Sequence, residues 1–580
     1  MVVEFVFFNL SGVMPKLLLC ALFFFSLCSA SANATVTMKI EGVSGDVKKN
    51  IEAYLSNIDQ GEYSFRLRFR SKVEEQINQA LNALGYYHGE IDFKQDETSQ
   101  TLTVAVTPGE AVRLRTVQID IDGEAEGDSA FNAVIEDAGL KQGDVLNHGK
   151  YDALKSRLQS LSLERGYFSA KFTRSELAVL VDENVADVFI TYASGPRYRF
   201  GDVSISGSQI EEQRIRSLQP FAKGDPYRLS SITTFNSNLN KTSWFESVVV
   251  QPQFSDGEAG TLPVSVALKP AKSNQIETGI GYSTDVGVRG TLSWNKPWLN
   301  EQGHSFDSSF SISKPEQVIT ASYKIPLEDV LHDYYQVQYG LKHVDKLDTQ
   351  SIESNLSFER HWLVDDGWNK TVFIRHLLED YEQGVLDDVG QFVLPGVTFS
   401  RTRTRGNKLI TWGDKETLTA EYGSKHLLSE TDLIRIQASS TWLRSWGENQ
   451  RGFIRVNGGA NFADDFDKLS PSLRFFTGGD NSVRGYDYES ISPTDESGSL
   501  TGAKYMATST LEYQHRISGN WWGALFYDVG DAFNDEPDWK RGTGVGVRWV
   551  SPIGPVSLDF AWGLDAEDGF KIHFTIGPEL

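Results

Sequence analysis

The sequence predicts three α+β repeats followed by an all-β transmembrane barrel of about 16 antiparallel strands. A unit of roughly 80 residues recurs three times before residue 273, each with the order strand, helix, helix, strand, strand. Apolar and polar residues then alternate, which is typical of strands with one face toward lipid and one toward a polar lumen. Of the 13 tryptophans, only Trp244 precedes this second part, and such a distribution is typical of aromatic girdles at a membrane surface.

Each repeat contains an amphipathic helix that ends at a turn before a strand. In the second repeat, apolar residues at helical spacing include Leu154, Leu158 and Leu161. The turn reads Leu-Gly-Tyr at 84–86 and Arg-Gly-Tyr at 165–167, because a helix that runs into a returning strand needs a residue that tolerates positive φ. The third copy has Ser-Trp-Phe at 243–245 and matches less well. We place the repeats at residues 35–110, 111–196 and 197–272.

The barrel is predicted for residues 273–580. Period-two segments include 278–282, 306–312, 335–341 and 572–576. A membrane strand takes about 9–11 residues, and a strand with its connection takes roughly 19 here. The last 307 residues therefore give about 16 strands, an even number as a closed bacterial barrel requires. Such a barrel also pairs every backbone polar group without water.

The first 34 residues are predicted to be a secretory signal peptide. Lys16 precedes an apolar stretch, and small residues follow up to Ala34. Met14 would be a more typical start than Met1, so the sequence leaves the start of translation open. Both cysteines lie in this segment, so we expect a mature chain without disulfides or thiolate metal sites.

The bulk properties exclude two other classes of protein. A net charge of −23 argues against a nucleic-acid partner held by phosphate contacts. After the signal segment no stretch has about 18 consecutive apolar residues, so we expect no transmembrane helix. A secreted chain with membrane-type aromatic residues and no spanning helix points to a β-barrel.

A loop-like segment, Phe475 to Tyr488, interrupts the alternation and reads FFTGGDNSVRGYDY. We call it the latch loop. Its arginine, Arg484, must reach water or a carboxylate inside the lumen, because the lipid face does not tolerate a charge. Two candidate carboxylates, Glu512 and Asp528, follow in the next predicted strands. A guanidinium can bind two carboxylate oxygens at once, so lysine should be a poor substitute.

These segments resemble, in order, the outer-membrane insertase superfamily that includes BamA and TamA. The resemblance rests on Val483-Arg484-Gly485-Tyr486, on Glu512, on the strand motif Phe526-x-Asp528-x-Gly530, and on the segments 544–549 and 551–555. It implies that the repeats are periplasmic POTRA domains and that the barrel lies in the bacterial outer membrane. It also implies that Arg484 folds into the barrel and pairs with Glu512 and Asp528.

The number of repeats indicates which branch of this superfamily the chain resembles. Three repeats resemble the TamA branch, whereas the BamA branch carries five and two-partner secretion transporters carry two. The TamA branch implies an outer-membrane subunit of a translocation and assembly module, which promotes the assembly or secretion of β-barrel and autotransporter proteins. The implied partners are a TamB-like protein anchored in the inner membrane, client outer-membrane and autotransporter proteins, and outer-membrane lipid.

The first and last barrel strands are predicted to form a weak lateral seam. The residues that suggest it are Gly279 and Gly281 in the first strand and Gly569, Ile572, Phe574 and Gly577 in the last. Glycine leaves few cross-strand side-chain contacts, so this edge should open most easily. Exposed strand ends there could template an incoming strand by β-augmentation. In the alternative interpretation, the glycines only accommodate barrel curvature.

Other functional classes find less support in the sequence. We find no HExxH zinc motif, serine elbow or Walker loop, and the glycines at 542–546 lie in a strand with no following helix. We therefore predict no enzymatic activity, no cofactor and no metal site. A passive channel would leave the repeats unexplained. A two-partner-type secretion transporter for a dedicated substrate stays open as the alternative, although its usual N-terminal plug helix is not seen between residues 34 and 40.

Overall fold

The computed structural model describes residues 36–254, 260–406, 409–551, 554–566 and 569–576. The predicted signal peptide and Gly577 lie outside these residues. The chain divides into two compact units, one that runs to Arg199 and includes Pro226–Leu229, and one that holds the remainder. None of the helices in the described ranges is long and apolar enough to cross a membrane.

Three small modules, each with a three-stranded sheet, precede the barrel. The first comprises β1 (Thr37–Glu41), α1 (Gly45–Leu55), α2 (Leu67–Ala83), β2 (Glu90–Asp96) and β3 (Thr101–Thr107). The second comprises β4 (Arg113–Asp122), α3 (Ser129–Asp137), α4 (His148–Arg165), β5 (Lys171–Leu180) and β6 (Val185–Ala193). The third comprises β7 (Arg199–Ser206), α5 (Glu212–Arg216), α6 (Leu229–Lys241), β8 (Phe245–Pro252) and β9 (Thr261–Pro270). In each module the third strand lies in the middle of the sheet.

The helices of each module pack on one face of its sheet through the apolar residues that the sequence spaces at helical intervals. In the second module Leu154 and Leu158 of α4 join Val188 and Ile190 of β6 in one buried cluster. Burial of a leucine contributes about 1.5–3 kcal/mol, so such clusters stabilise a module of this size.

The helix-to-strand turn needs a left-handed backbone in all three modules. Gly85 and Gly166 have φ of 87° each, as their position in the sequence predicts. In the third module Ser243 adopts φ of 59° in the corresponding turn. This explains why the third repeat departs from the glycine pattern without losing the turn: a small polar residue tolerates the same conformation at a modest cost.

Sixteen antiparallel strands follow as one sheet in chain order. Their bounds are β10 (Gln275–Ser283), β11 (Gly287–Lys296), β12 (Ser305–Ile312), β13 (Glu316–Pro326), β14 (Tyr334–Lys346), β15 (Thr349–Leu363), β16 (Asn369–Gln383), β17 (Leu386–Arg405), β18 (Trp412–Gly423), β19 (Leu433–Trp446), β20 (Gln450–Ala463), β21 (Tyr505–Ser518), β22 (Trp521–Phe533), β23 (Lys540–Ser551), β24 (Gly554–Gly563) and β25 (Phe570–Ile576). The predicted fold class is confirmed. Gly569 lies immediately before β25, so its predicted place inside the last strand is wrong by one residue.

The barrel has polar residues inside and apolar residues outside. On β21, Thr510 and Glu512 are buried, whereas Leu511 and Tyr513 between and beyond them are 59% and 41% exposed. Soluble proteins usually bury apolar side chains and expose polar ones, and here the pattern is reversed. This reversal suits a lipid-facing exterior and a polar lumen, because strand side chains alternate between the two faces. It also places the charged residues described below on the lumen wall.

Candidate functional site: the latch loop and the seam

Four neighbouring strands place charged side chains on the same stretch of lumen wall. Glu512 lies on β21, Asp528 on β22, Arg548 on β23 and Asp559 on β24, and all four are buried. They converge because each occupies an inward-facing strand position, where a charge avoids the lipid. Arg548 donates to Glu512 at 2.8 Å and to Asp559 at 2.5 Å.

Arg484 enters this wall from the latch loop and contacts three carboxylates. Its Nε and Nη2 donate to the two oxygens of Asp528 at 2.8 and 3.0 Å. Its Nη1 donates to Glu512 at 2.9 Å and to Asp559 at 3.0 Å. The backbone N–H of Arg484 also donates to Asp528 at 3.1 Å. Both carboxylates predicted from the sequence therefore contact Arg484, and Asp559 and Arg548 complete a network that the sequence did not indicate.

The face of the guanidinium is covered as well as its edge. Arg484 Cζ lies 3.5 Å from the centre of the Phe526 ring, close enough for a cation–π interaction. The arginine side chain is 7% exposed, so this contact and the three carboxylates replace the hydration that the charge has lost. Phe526, selected from the strand motif, forms the floor of the site.

Glycines let the loop backbone lie directly on the barrel wall. A Cβ on Gly542 would lie 2.0 Å from the carbonyl oxygen of Arg484. Gly485 has φ of 96°, and a Cβ there would lie 2.4 Å from the backbone of Gly563. A Cβ on Gly530 would lie 2.9 Å from Val483. The glycine of the strand motif and the glycine after the arginine thus share one physical role, which is to allow close approach.

Tyr486 does not join the carboxylates. Its hydroxyl donates to the carbonyl oxygen of Arg541 at 3.5 Å and accepts from the N–H of Asp565 at 3.2 Å. Val483 and Tyr486 instead belong to a small buried apolar cluster with Ile491. These residues fix the backbone on either side of Arg484.

The seam between β10 and β25 has far fewer bonds than the ladders of the sheet. Over the described residues, one backbone–backbone bond crosses it, from Thr284 N–H to the Phe574 oxygen at 3.2 Å. The Phe574 N–H donates in turn to Thr284 Oγ1 at 3.0 Å. By contrast, β24 and β25 pair through seven consecutive residues.

The predicted seam residues have different roles. Gly279 lies under Thr291, whose hydroxyl would meet a Cβ at 2.6 Å, whereas Gly281 has open space around it. Phe574 contacts Tyr282 across the seam, with ring centres 5.9 Å apart, and Ile572 is exposed. Residue 577 lies outside the described residues.

Asp480 of the latch loop reaches both sides of the seam, which the sequence did not indicate. Its carboxylate accepts from Thr284 at 3.3 Å, from Thr575 at 3.0 Å and from His573 Nδ1. Its N–H donates to Asp285 at 3.0 Å. Asp285 lies in the turn after β10, and burial together with the charge of Asp480 raises its pKa to about 7.

The side chains of Asp285, Asp480 and His573 are of the types that bind metals. Their hydrogen bonds, however, place a proton rather than a metal ion between His573 and Asp480. The potential ligand atoms lie within 4.8 Å of one another. However, His573 Nε2 accepts from the Gly485 N–H at 3.0 Å, so the neutral ring carries its proton on Nδ1, toward Asp480. A metal ion on Nδ1 would need that nitrogen free of its proton.

A second anchor holds the chain just before the latch loop against β16 and β19. Glu379 of β16 accepts from the N–H and hydroxyl of Ser472 at 3.2 and 2.5 Å. Arg435 of β19 donates to the Leu473 oxygen at 3.2 Å. Leu473 is buried in an apolar cluster at this point. The segment that leads into the loop is therefore anchored in addition to Arg484, and the sequence indicated only the Arg484 anchor.

Comparison with known proteins shows which protein families the barrel and the modules resemble. The Omp85 superfamily domain matches residues 396–579. The model for POTRA domain TamA domain 1 matches residues 37–108, and the surface antigen variable number repeat, a POTRA model, matches 115–193 and 198–271. These matches cover the three modules and the part of the barrel that holds the latch.

Individual relatives match this chain over most of its length. The chain is 23% identical over 573 residues to the outer membrane protein assembly factor BamA of Nitratidesulfovibrio vulgaris, covering 92% of this chain and 70% of that protein. It is 21% identical over 548 residues to BamA of Neorickettsia risticii, covering 84% and 69%. The crystal structure of Haemophilus ducreyi BamA lacking POTRA domains 1–3 matches with a TM-score of 0.66 and 14% identity, covering 80% of this chain and 99% of that one.

The observed architecture, three modules before a 16-stranded barrel over the described residues, is consistent with these similarities. The barrel lies in the outer membrane and the three modules lie in the periplasm. Residues 396–579 are therefore similar to the Omp85 superfamily domain, and the three modules before the barrel are similar to POTRA domains.

Proposed function

We propose that this chain is the outer-membrane subunit of a translocation and assembly module. In this role it promotes the insertion or secretion of β-barrel and autotransporter proteins through the lateral seam, without enzymatic activity of its own. Two features support the TamA-type assignment over a BamA-type one. The chain has three modules, and its first module matches the TamA-specific POTRA model.

The observation that carries the insertase role is the sparse bonding of the seam. Backbone ladders join fifteen strand pairs of the barrel, whereas over the described residues one backbone bond crosses the seam, from Thr284 directly after β10 to Phe574 of β25. A strand edge with unpaired N–H and C=O groups can bind another strand by β-augmentation. An incoming client strand would find such an edge on either side of the opened seam.

A disulfide across the seam tests this role. The chain has no cysteine after residue 28, so the variant Tyr282→Cys with Phe574→Cys introduces a unique pair. The rings of these two residues contact each other across the seam with centres 5.9 Å apart, so their side chains lie on the same face of the sheet, as a disulfide requires. We expect the oxidised variant in proteoliposomes to stop inserting a nascent barrel client, and the reduced variant to resume.

A matched control uses the same second cysteine in a complete ladder. Leu558 lies opposite Phe574 in the β24–β25 register, so Leu558→Cys with Phe574→Cys fixes a pair that need not separate. Insertion should continue in the oxidised control. Normal insertion with the seam pair fully oxidised would exclude client passage through the seam.

The proposed partner requires a separate test. Cross-linking in cells of the full chain, through a photoreactive residue at the exposed Leu67 of the first module, should capture a TamB-like protein anchored in the inner membrane. Capture of one large secreted protein in its place would favour the two-partner-type secretion transporter.

A further inference from the structure

The latch loop bonds to both sides of the seam through Asp480. On the side of the first hairpin, its N–H donates to Asp285 and its carboxylate accepts from Thr284. On the side of the last strand, the carboxylate accepts from His573 and Thr575. One side chain, 7% exposed, thus joins three segments that are far apart in the sequence.

Asp480 also orients a direct seam bond, the one between the Phe574 N–H and the Thr284 hydroxyl. The Thr284 hydroxyl donates to Asp480 and accepts from the Phe574 N–H at 3.0 Å. A hydroxyl has one proton, so donation to Asp480 turns a lone pair toward Phe574. Without the carboxylate, the hydroxyl is free to rotate and this seam bond loses its orientation.

We propose that Asp480 is a clasp that couples the latch loop to the seam, so that the seam is held closed only while the loop is seated. Withdrawal of the loop removes the carboxylate from both edges at once, and separation of the edges removes the loop's partners. The coupling deepens the proposed function, because a seated loop would then oppose client entry.

The surrounding charges favour the closed arrangement. His573 faces Asp480 and Asp285, and its cross-strand neighbour on β24 is Asp559, which Arg484 and Arg548 already bind. Burial and the charge of Asp480 raise the pKa of Asp285, which favours its protonated carboxyl and limits the repulsion between Asp285 and Asp480. A neutral His573 completes the arrangement by donating to Asp480 and accepting from Gly485.

Hydrogen–deuterium exchange of the intact chain in lipid nanodiscs, without any client, tests the coupling. The variant is Asp480→Ala, and the three peptides to follow cover residues 279–286, 478–488 and 570–576. We expect all three to exchange at least about tenfold faster than in the wild type, which corresponds to about 1.4 kcal/mol. The matched control is Asp487→Ala, which removes a loop carboxylate that, among the described residues, bonds Lys571 on one side of the seam at 3.0 Å.

Faster exchange of the loop peptide with both edge peptides unchanged would overturn the clasp, as would no change in any of them. Should Asp480→Ala fail to fold, Thr575→Val removes one clasp contact and must accelerate the same three peptides together. Because no client is present, the outcome is independent of the disulfide test. If the exchange experiment shows no coupling, clients can still pass through the seam. If the disulfide test shows that clients do not pass through the seam, the coupling between loop and seam can still be measured.

Discussion

Replacement of Arg484 by lysine should release the latch loop although the charge is kept. The guanidinium makes four side-chain bonds to three carboxylates on three strands. A single ammonium on a different stem cannot reach all three, and loss of two charge-assisted bonds costs about 3–6 kcal/mol. Each 1.4 kcal/mol is a factor of ten, so the detached population should rise by at least about a hundredfold.

Protease cleavage of the loop in the membrane-embedded barrel measures that population. The cleavage rate reports detachment when the loop opens and closes faster than it is cut. Arg403→Lys is the matched control, because Arg403 forms the same two-oxygen contact with Asp414 on a neighbouring strand and does not involve the loop. Equal cleavage rates for wild type and Arg484→Lys would refute the view that the forked geometry, rather than charge alone, seats the loop.

Three further predictions concern the modules. Gly303→Ala should loosen the third module from the barrel, since the added Cβ would lie 2.1 Å from the Trp244 ring. Faster hydrogen–deuterium exchange around Trp244, with unchanged mobility of the barrel in gels, would confirm this loosening. Leu158→Ala should lower the free energy of unfolding of the second module by about 2–5 kcal/mol, measured by pulse proteolysis in urea, and an effect equal to that of an exposed leucine would contradict its core position. The Arg115 guanidinium holds the pKa of Asp187 below its usual range. The ion pair therefore stabilises the second module above about pH 4, and this stabilisation is lost as pH falls through the lowered pKa. Arg115→Ala should shift the midpoint of acid unfolding of the module to higher pH, and an unchanged midpoint would argue against this role.

The fold followed from the sequence because its signals are local. Helical spacing around Leu158 and strict alternation around Leu511 each decide a structure within one element. The strand count followed because membrane thickness sets strand length. A departure such as Ser243 lowered the strength of the repeat signal without changing the turn itself.

The site was predictable only where a motif fixes it. Glu512 and Asp528 could be selected because they follow the arginine in a recognisable order. Asp559 contacts Arg484 only because β24 has one particular register against β23, and a one-residue slip would turn it toward lipid. The Asp480 contacts with Asp285 and His573 join residues 195 and 93 positions away, a relation that no local pattern encodes.

The order of the strands has a consequence for how the protein itself is made. The carboxylates that bind Arg484 lie on strands between β21 and β24, in the last fifth of the chain. Arg484 therefore lacks its full set of partners until nearly every strand has entered the bilayer. Until then its carboxylates lack their common cation. The loop can therefore be seated fully only at the end of biogenesis, and in a chain truncated before β24 Arg484 would lack Asp559 however well the earlier strands had formed.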